Sequence, residues 1–353
     1  MAADAYEKLI GSLNARSALF PSVKCDEFFA LAEFLFTPED AEVFNAMPLG
    51  HATIEEIAAN LPGRDTRKLL AQLETMADKG LIHIREKEGM QLYEALPFVP
   101  GITEFQLMRG IVDERHKKIA VLLRDYSRAM IKILMSPDAP KIVSSAPARG
   151  GKSIPVDHDI PHQTTIVPLE ELKALIMNTE YISAGTCICR HQGILLGKEC
   201  KEPTNNCMVL GESAKFAYQR GFTKRLTREE AIKRLEETEE AGLIHSFANS
   251  PDNFTNLLCN CCQCHCMIMR GVKRNPLPSQ AINARYLITI DEETCTACEA
   301  CIPRCQMEAL KMIDGKLTRD EKRCIGCGIC MWVCPADALS LDPRPASKIP
   351  LRA

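Results

Sequence analysis

No run of this chain approaches the ~18 uninterrupted apolar residues that a spanning helix needs, which argues against a transmembrane segment. Charge of one sign is missing too. Lys and Arg number 43 against 46 Asp and Glu, for a net charge of −3, so no basic surplus points to nucleic acid or anionic lipid. A secretory start is absent, because Met1 to Lys8 carries two acids and no apolar core. Aromatics are scarce, at 5% with a single tryptophan. Nucleotide fingerprints are also lacking. Gly150-Gly151-Lys152-Ser153 imitates a phosphate loop, but Ala146 stands where that loop needs glycine. No Ser/His/Asp constellation presents itself. These absences disfavour a membrane protein, a secreted protein and a nucleotide-dependent enzyme.

What is abundant is cysteine. Eighteen of the 353 residues are Cys, concentrated in 187–207, 259–266 and 295–334, with only Cys25 apart. Without a secretory signal, such clustering indicates metal rather than disulfides. The expectation is a cytoplasmic metalloprotein from a low-oxygen setting. Cys25, ahead of Phe28-Phe29, reads as a buried small hydrophobe.

The last group has the sharpest grammar. Cys295, Cys298, Cys301 and Cys305 are repeated 29 positions later as Cys324, Cys327, Cys330 and Cys334, and Pro335 follows. Two such runs are the bacterial-type signature for a pair of [4Fe–4S] clusters, in which the fourth cysteine of each run ligates the other cluster. This assigns one cluster to Cys295, Cys298, Cys301 and Cys334, and the second to Cys324, Cys327, Cys330 and Cys305. A zinc reading of the same Cys-x-x-Cys units does not explain the third cysteine in each run. One departure is visible: Cys305 is followed by Gln306, not proline.

The middle cysteines are less orderly. Cys187, Cys189, Cys200, Cys207, Cys259, Cys261, Cys262, Cys264 and Cys266 supply nine thiols, with His191 and His265 nearby. In extended backbone, residues two apart share a face, so Cys187 and Cys189 would point to one site, as would Cys259 and Cys261, and likewise Cys262, Cys264 and Cys266. Nine thiols fit two further [4Fe–4S] clusters, one cluster plus one zinc, or a structural zinc site with spare cysteines. Arg190 reads as a donor to whatever these cysteines hold. The Cys261-Cys262 pair is similar to paired cysteines that bind a non-cubane cluster in disulfide reductases, though Gln263 replaces the following glycine.

The fold class is α+β, in several domains. Residues 1–135 read as a winged-helix-like unit with a long C-terminal helix. Thr37-Pro38, Thr53-Ile54-Glu55-Glu56 and Asp65 start three helices, Gly80 stops the third, and strands at 81–84 and 90–93 form a hairpin. Glu104 to about Met135 is helical with a break near Gly110, suited to packing across domains or to self-association, with His116 on the surface. Residues 136–165 read as a linker, in which His158 and His162 belong to a solvated loop. Residues 166–284 form the cysteine-rich domain, opened by a helix over 168–178. Thr227 to His245 echoes Asp65 to His83 as a capped helix, a glycine stop and an apolar strand. Residues 285–342 form the dicluster ferredoxin domain, with a first strand at 286–290, an Asp314-Gly315 turn and Trp332 in its apolar shell. Residues 343–353 are a tail.

With these residues in view, the chain resembles a family of ferredoxin-like 4Fe–4S binding proteins of anaerobes. The resemblance rests on the winged-helix-like start, Val99-Pro100-Gly101-Ile102, Cys187-Ile188-Cys189-Arg190, Cys259-Asn260-Cys261-Cys262 and the C-terminal runs. His265 stands where similar sequences place a cysteine. The resemblance implies iron–sulfur electron transfer beside larger redox enzymes. The expected function is therefore a non-catalytic electron-transfer subunit whose partner is a flavin- or metal-containing oxidoreductase. The alternative is a redox-sensing transcription regulator, which the mixed charge of the third helix (Arg67 and Lys68 beside Glu74 and Asp78) disfavours.

Overall fold

The computed structural model describes residues 2–16, 21–134, 155–156, 158–159, 165–248, 256–274, 282 and 284–344. The phosphate-loop imitation at 150–153, His162 and residues 345–353 lie outside the described residues.

The N-terminal unit begins with helices Ala2–Asn14, Asp26–Leu35, Pro38–Ala46, Ile54–Ala59 and Thr66–Asp78. Capping decides where the last three of these helices start. Thr37 and Thr53 close reciprocal boxes with Asp40 and Glu56, and Asp65 accepts from the Lys68 amide at 2.9 Å. Gly80, at φ +70°, ends the last of these helices. An antiparallel hairpin follows, β1 (Ile82–Lys87) with β2 (Met90–Ala95), and Ala52 bridges to Tyr93 beside it. The hairpin is longer than expected, because Glu88 and Gly89 alone make the left-handed turn. Two small strands, β3 (Pro155–Val156) and β4 (His158–Asp159), pair with each other.

The helical segment after the hairpin is indeed broken at Gly110, into Thr103–Leu107 and Glu114–Leu134. The longer piece packs across units, against Asp26–Leu35 on one side and Ile188–Leu195 on the other. His116 is not a surface residue: it is buried, with Nδ1 2.6 Å from Asp113 at the helix start. Cys25 is likewise corrected. It is half-buried at the head of the Asp26–Leu35 helix, while Phe28 takes the core position.

The middle of the chain is one six-stranded antiparallel sheet in the order β5-β9-β10-β7-β6-β8. These strands are β5 (Thr165–Ile166), β6 (Ile182–Gly185), β7 (Cys207–Leu210), β8 (Lys224–Arg225), β9 (Ile244–Ala248) and β10 (Asn256–Cys261). Helices Leu169–Met177 and Arg228–Glu240 pack together on it, burying Leu172, Ile176, Ala231 and Leu235. The echo noted in the sequence is structural: Thr227 and Glu230 form a capping box, and Gly242, at φ +80°, stops the helix before β9. The core of the N-terminal unit continues into this region, where Phe216 and Phe222 join Phe105. Arg220 ties the two by bonding Glu74 and Asp78, each at 2.7 Å.

The C-terminal unit has β11 (Tyr286–Ile290) paired with β14 (Leu339–Pro343), and β12 (Leu310–Ile313) with β13 (Lys316–Arg319) across the Asp314-Gly315 turn. Arg344 is buried and donates to the carbonyls of Glu321 and Cys324. Trp332 is 48% exposed, contrary to expectation. It sits in a three-residue turn whose neighbour Met331 fills the apolar shell instead.

Candidate metal centres

The C-terminal unit encloses two cavities. The first is lined by Cys295, Cys298, Cys301 and Cys334, closed by Leu317, Ala338 and Leu339. The second is lined by Cys305, Cys324, Cys327 and Cys330, closed by Ile288, Met307, Ala309 and Leu310. Each cavity thus takes three cysteines from one run and the fourth from the other.

The backbone around them repeats. Cys305 Sγ accepts from the Ala309 amide and Cys334 Sγ from the Ala338 amide, both at 3.3 Å. The residues between the cysteines wind left-handed at matched places: Ala297 and Glu299 in the first run, Gly326 and Gly328 in the second. Such turns aim three successive thiols into one cavity. Burial pushes the Cys327 and Cys330 thiols up, and neighbouring thiolates add to the effect. A cavity of this kind disfavours bare thiolates.

The two cavities differ in exposure. Cys298 is exposed and Cys295 half-buried, whereas Cys324 and Cys330 are buried. Met307, Ile325 and Ile329 beside the second cavity pack in one core with Cys261 and Cys266 of the middle domain. Gln306, the departure from the proline pattern, donates to the carbonyls of Gly242 and Cys261. The residue after Cys305 therefore serves as a tie between the two units.

The middle cysteines face a larger cavity. Its volume is about 130 Å³, against about 20 Å³ for each C-terminal one. It is lined by Cys187, Cys189, Cys207, Cys259, Cys261 and Cys266 and by mostly apolar residues such as Phe98, Pro100, Leu107, Met108 and Tyr126. Cys187 and Cys189 do not reach it from extended backbone as expected. Cys187 instead heads the Ile188–Leu195 helix, with Cys189 in its first turn. Their thiols still meet, and further sulfur contacts run Cys187–Cys207, Cys207–Cys259, Cys259–Cys261, Cys261–Cys266 and Cys266–Cys189, closing a ring of six. Hydrogen bonds from Cys259 and Cys266 bring the Cys261 thiol down to about 5 in spite of its burial.

Arg190 stands behind this ring, fully buried. Its Nη1 donates to Pro203 O and Asn206 Oδ1, both at 2.7 Å, and its Nη2 to Asn260 O at 2.6 Å. Burial opposes its charge, but Cys187, Cys262 and Cys207 outweigh that and push its pKa up. A fixed cation beside the thiols favours their deprotonated forms, as it does at Cys187.

Cys200, Cys262 and Cys264 gather with His265, and Cys262 and His265 also line the larger cavity. The sequence did not distinguish these four from the rest of the middle set. His191 is not with either group: it is buried, with Nε2 2.9 Å from Ile111 O. Glu104 was also missed. It is buried at the cavity wall and accepts from the Gly101 amide at 2.6 Å and the Thr103 hydroxyl at 2.7 Å.

Residues 317–340, which contain Cys324, Cys327, Cys330 and Cys334, match the 4Fe-4S binding domain family. No curated protein matches the chain. The C-terminus thus carries a 4Fe–4S binding domain, and the clustered cysteines mark iron–sulfur binding and electron transfer. No described helix is long and apolar enough to cross a membrane.

Proposed function

We propose that this chain is an iron–sulfur electron-transfer protein that serves a larger cytoplasmic oxidoreductase. In this reading one [4Fe–4S] cluster is held by Cys295, Cys298, Cys301 and Cys334, and a second by Cys324, Cys327, Cys330 and Cys305. The observation that carries it is the exchange of the fourth cysteine between two separately closed cavities. That arrangement matches the ligation rule for two-cluster ferredoxins, and a pair of zinc sites has no need of it.

A further iron–sulfur group belongs to the ring of Cys187, Cys189, Cys207, Cys259, Cys261 and Cys266. The size of the cavity and the Arg190 cation support a group at least as large as one cubane. Such groups supply one-electron storage, and the chain's own residues set their surroundings. The exposed first cavity suits exchange with a flavin- or metal-containing partner. The second cavity, packed toward Cys261 and Cys266, suits relay to the inner ring. The N-terminal unit, winged-helix-like in its helices and hairpin, acts here as scaffold. Glu74 and Asp78 on its Thr66–Asp78 helix are engaged by Arg220, which leaves that helix poorly suited to a DNA groove.

The test is iron content and reduced-state paramagnetic resonance of anaerobically purified protein. Two clusters contribute about eight irons and the inner group at least about four more. The expected spectrum is that of interacting reduced clusters. Fewer than about eight irons, or visible absorbance that does not bleach on reduction, would overturn the reading.

A further inference from the structure

We propose that Cys200, Cys262, Cys264 and His265 form a mononuclear zinc site, separate in composition from the iron–sulfur centres. The ligand atoms of these four residues all lie within 4.8 Å of one another. Cys200 Sγ is 3.3 Å from Cys264 Sγ and 3.9 Å from Cys262 Sγ. A tetrahedral zinc with Zn–S near ~2.3 Å holds its sulfurs roughly 3.8 Å apart, so the thiols need only small adjustments.

The histidine supplies the independent sign of a metal. His265 Nε2 lies 2.9 Å from the Lys198 carbonyl, which requires that nitrogen to carry the proton. Nδ1 is then a bare acceptor, and it is buried with no protein hydrogen-bond partner. A ring whose far N–H donates to a backbone carbonyl while its other nitrogen stays open is the usual posture of a zinc-ligating histidine. The backbone makes room for this posture. A Cβ at Gly193 would stand 2.3 Å from His265 Cδ2 and 2.5 Å from Nε2, so any side chain there must displace the imidazole.

Three thiolates and one neutral imidazole fill four positions and leave none for substrate, which makes the site structural rather than catalytic. It would pin the loop around Cys200 to the turn at 262–265, adding to the bond that His265 already makes to the Lys198 carbonyl. It also accounts for Cys262, which borders the inner cavity but makes none of the contacts that close the six-thiol ring. The inference does not depend on how the C-terminal cavities are filled, because zinc and iron are counted separately.

The experiment is metal analysis of the full chain, purified anaerobically from cells supplied with both zinc and iron, with Cys264→Ser beside it. Cys264 lies on an exposed turn. The unsubstituted protein is expected to hold about one zinc per chain, and Cys264→Ser to lower zinc at least about fivefold with iron unchanged. Zinc-edge absorption of the unsubstituted protein should show about three sulfur neighbours and one nitrogen, and this measurement decides the matter even if the variant does not fold. Absence of zinc, an all-sulfur shell, or iron lost along with zinc in a folded Cys264→Ser protein would each overturn the proposal. The last result would assign these residues to the iron–sulfur group.

Discussion

Glu104 carries a pH signature that the fold imposes. Burial is the main force on its carboxyl and pushes its pKa up from the ordinary value of 4.5; the bonds from Gly101 and Thr103 only partly oppose this. The folded state therefore keeps this proton at pH values where the unfolded chain has released it. Stability conferred by the neutral acid is complete below about 4.5 and drains away as pH rises, at up to about 1.4 kcal/mol per pH unit. Glu104→Gln keeps an acceptor for both donors and has no proton to lose. Its unfolding midpoint in urea should exceed that of the parent at pH 8, with the gap narrowing toward pH 5; a gap independent of pH would refute the assignment. Nothing in the sequence around Glu104 announced this, since a glutamate at a helix start normally caps toward solvent. Arg190 was more legible. Its place after Cys189 put it beside the cysteines, but its acceptors Asn206 and Asn260 lie 16 and 70 residues away and only folding brings them in.

At the scale of elements, the two cysteine loops obey one geometry under different constraints. Both need left-handed residues between their cysteines, and the first run meets that need with Ala297 at φ +56° and Glu299 at φ +62°. It can do so because its loop faces solvent. In the second run Gly326 presses on β11: a Cβ there would stand 2.2 Å from the Tyr286 carbonyl oxygen, a backbone atom that cannot swing aside. The same kind of exchange should thus act in opposite senses at matched positions. Ala297→Gly relieves a strained φ and should stabilise by up to about 1 kcal/mol, whereas Gly326→Ala should destabilise by at least about 3 kcal/mol and lower the iron content. Thermal unfolding and iron analysis of the pair test this, and equal effects would show that the loops are equivalent. The repeat of 29 residues made both loops readable from sequence. Which loop lies inside was not readable, because that depends on docking through Gln306 and Arg304 to the carbonyls of Glu239, Glu240 and Gly242. The helix starts were legible for the opposite reason: Thr37, Thr53, Asp65 and Thr227 act on amides three residues away.

For the whole molecule, the order of the centres follows from burial. The first cavity has the exposed ligand Cys298, the second lies between it and the middle domain, and the six-thiol ring lies against the N-terminal helices. That order was beyond sequence, because the residues which lie against the ring, such as Phe98, Leu107 and Tyr126, meet it only across 60 or more positions of chain. The consequence is directional loss. Mild oxidation in the presence of a chelator and iodoacetamide should strip the outer cluster first, since its ligands include the exposed Cys298 and the half-buried Cys295. Peptide mass analysis over time should find Cys295 and Cys298 alkylated before Cys324 and Cys330, with Cys207 and Cys261 last. If Cys324 and Cys330 react together with Cys298, the second cavity is open to solvent and electrons have no reason to pass through the first. If the inner cysteines react earliest, the N-terminal helices do not seal the ring, and the inner centre rather than the outer one faces the partner.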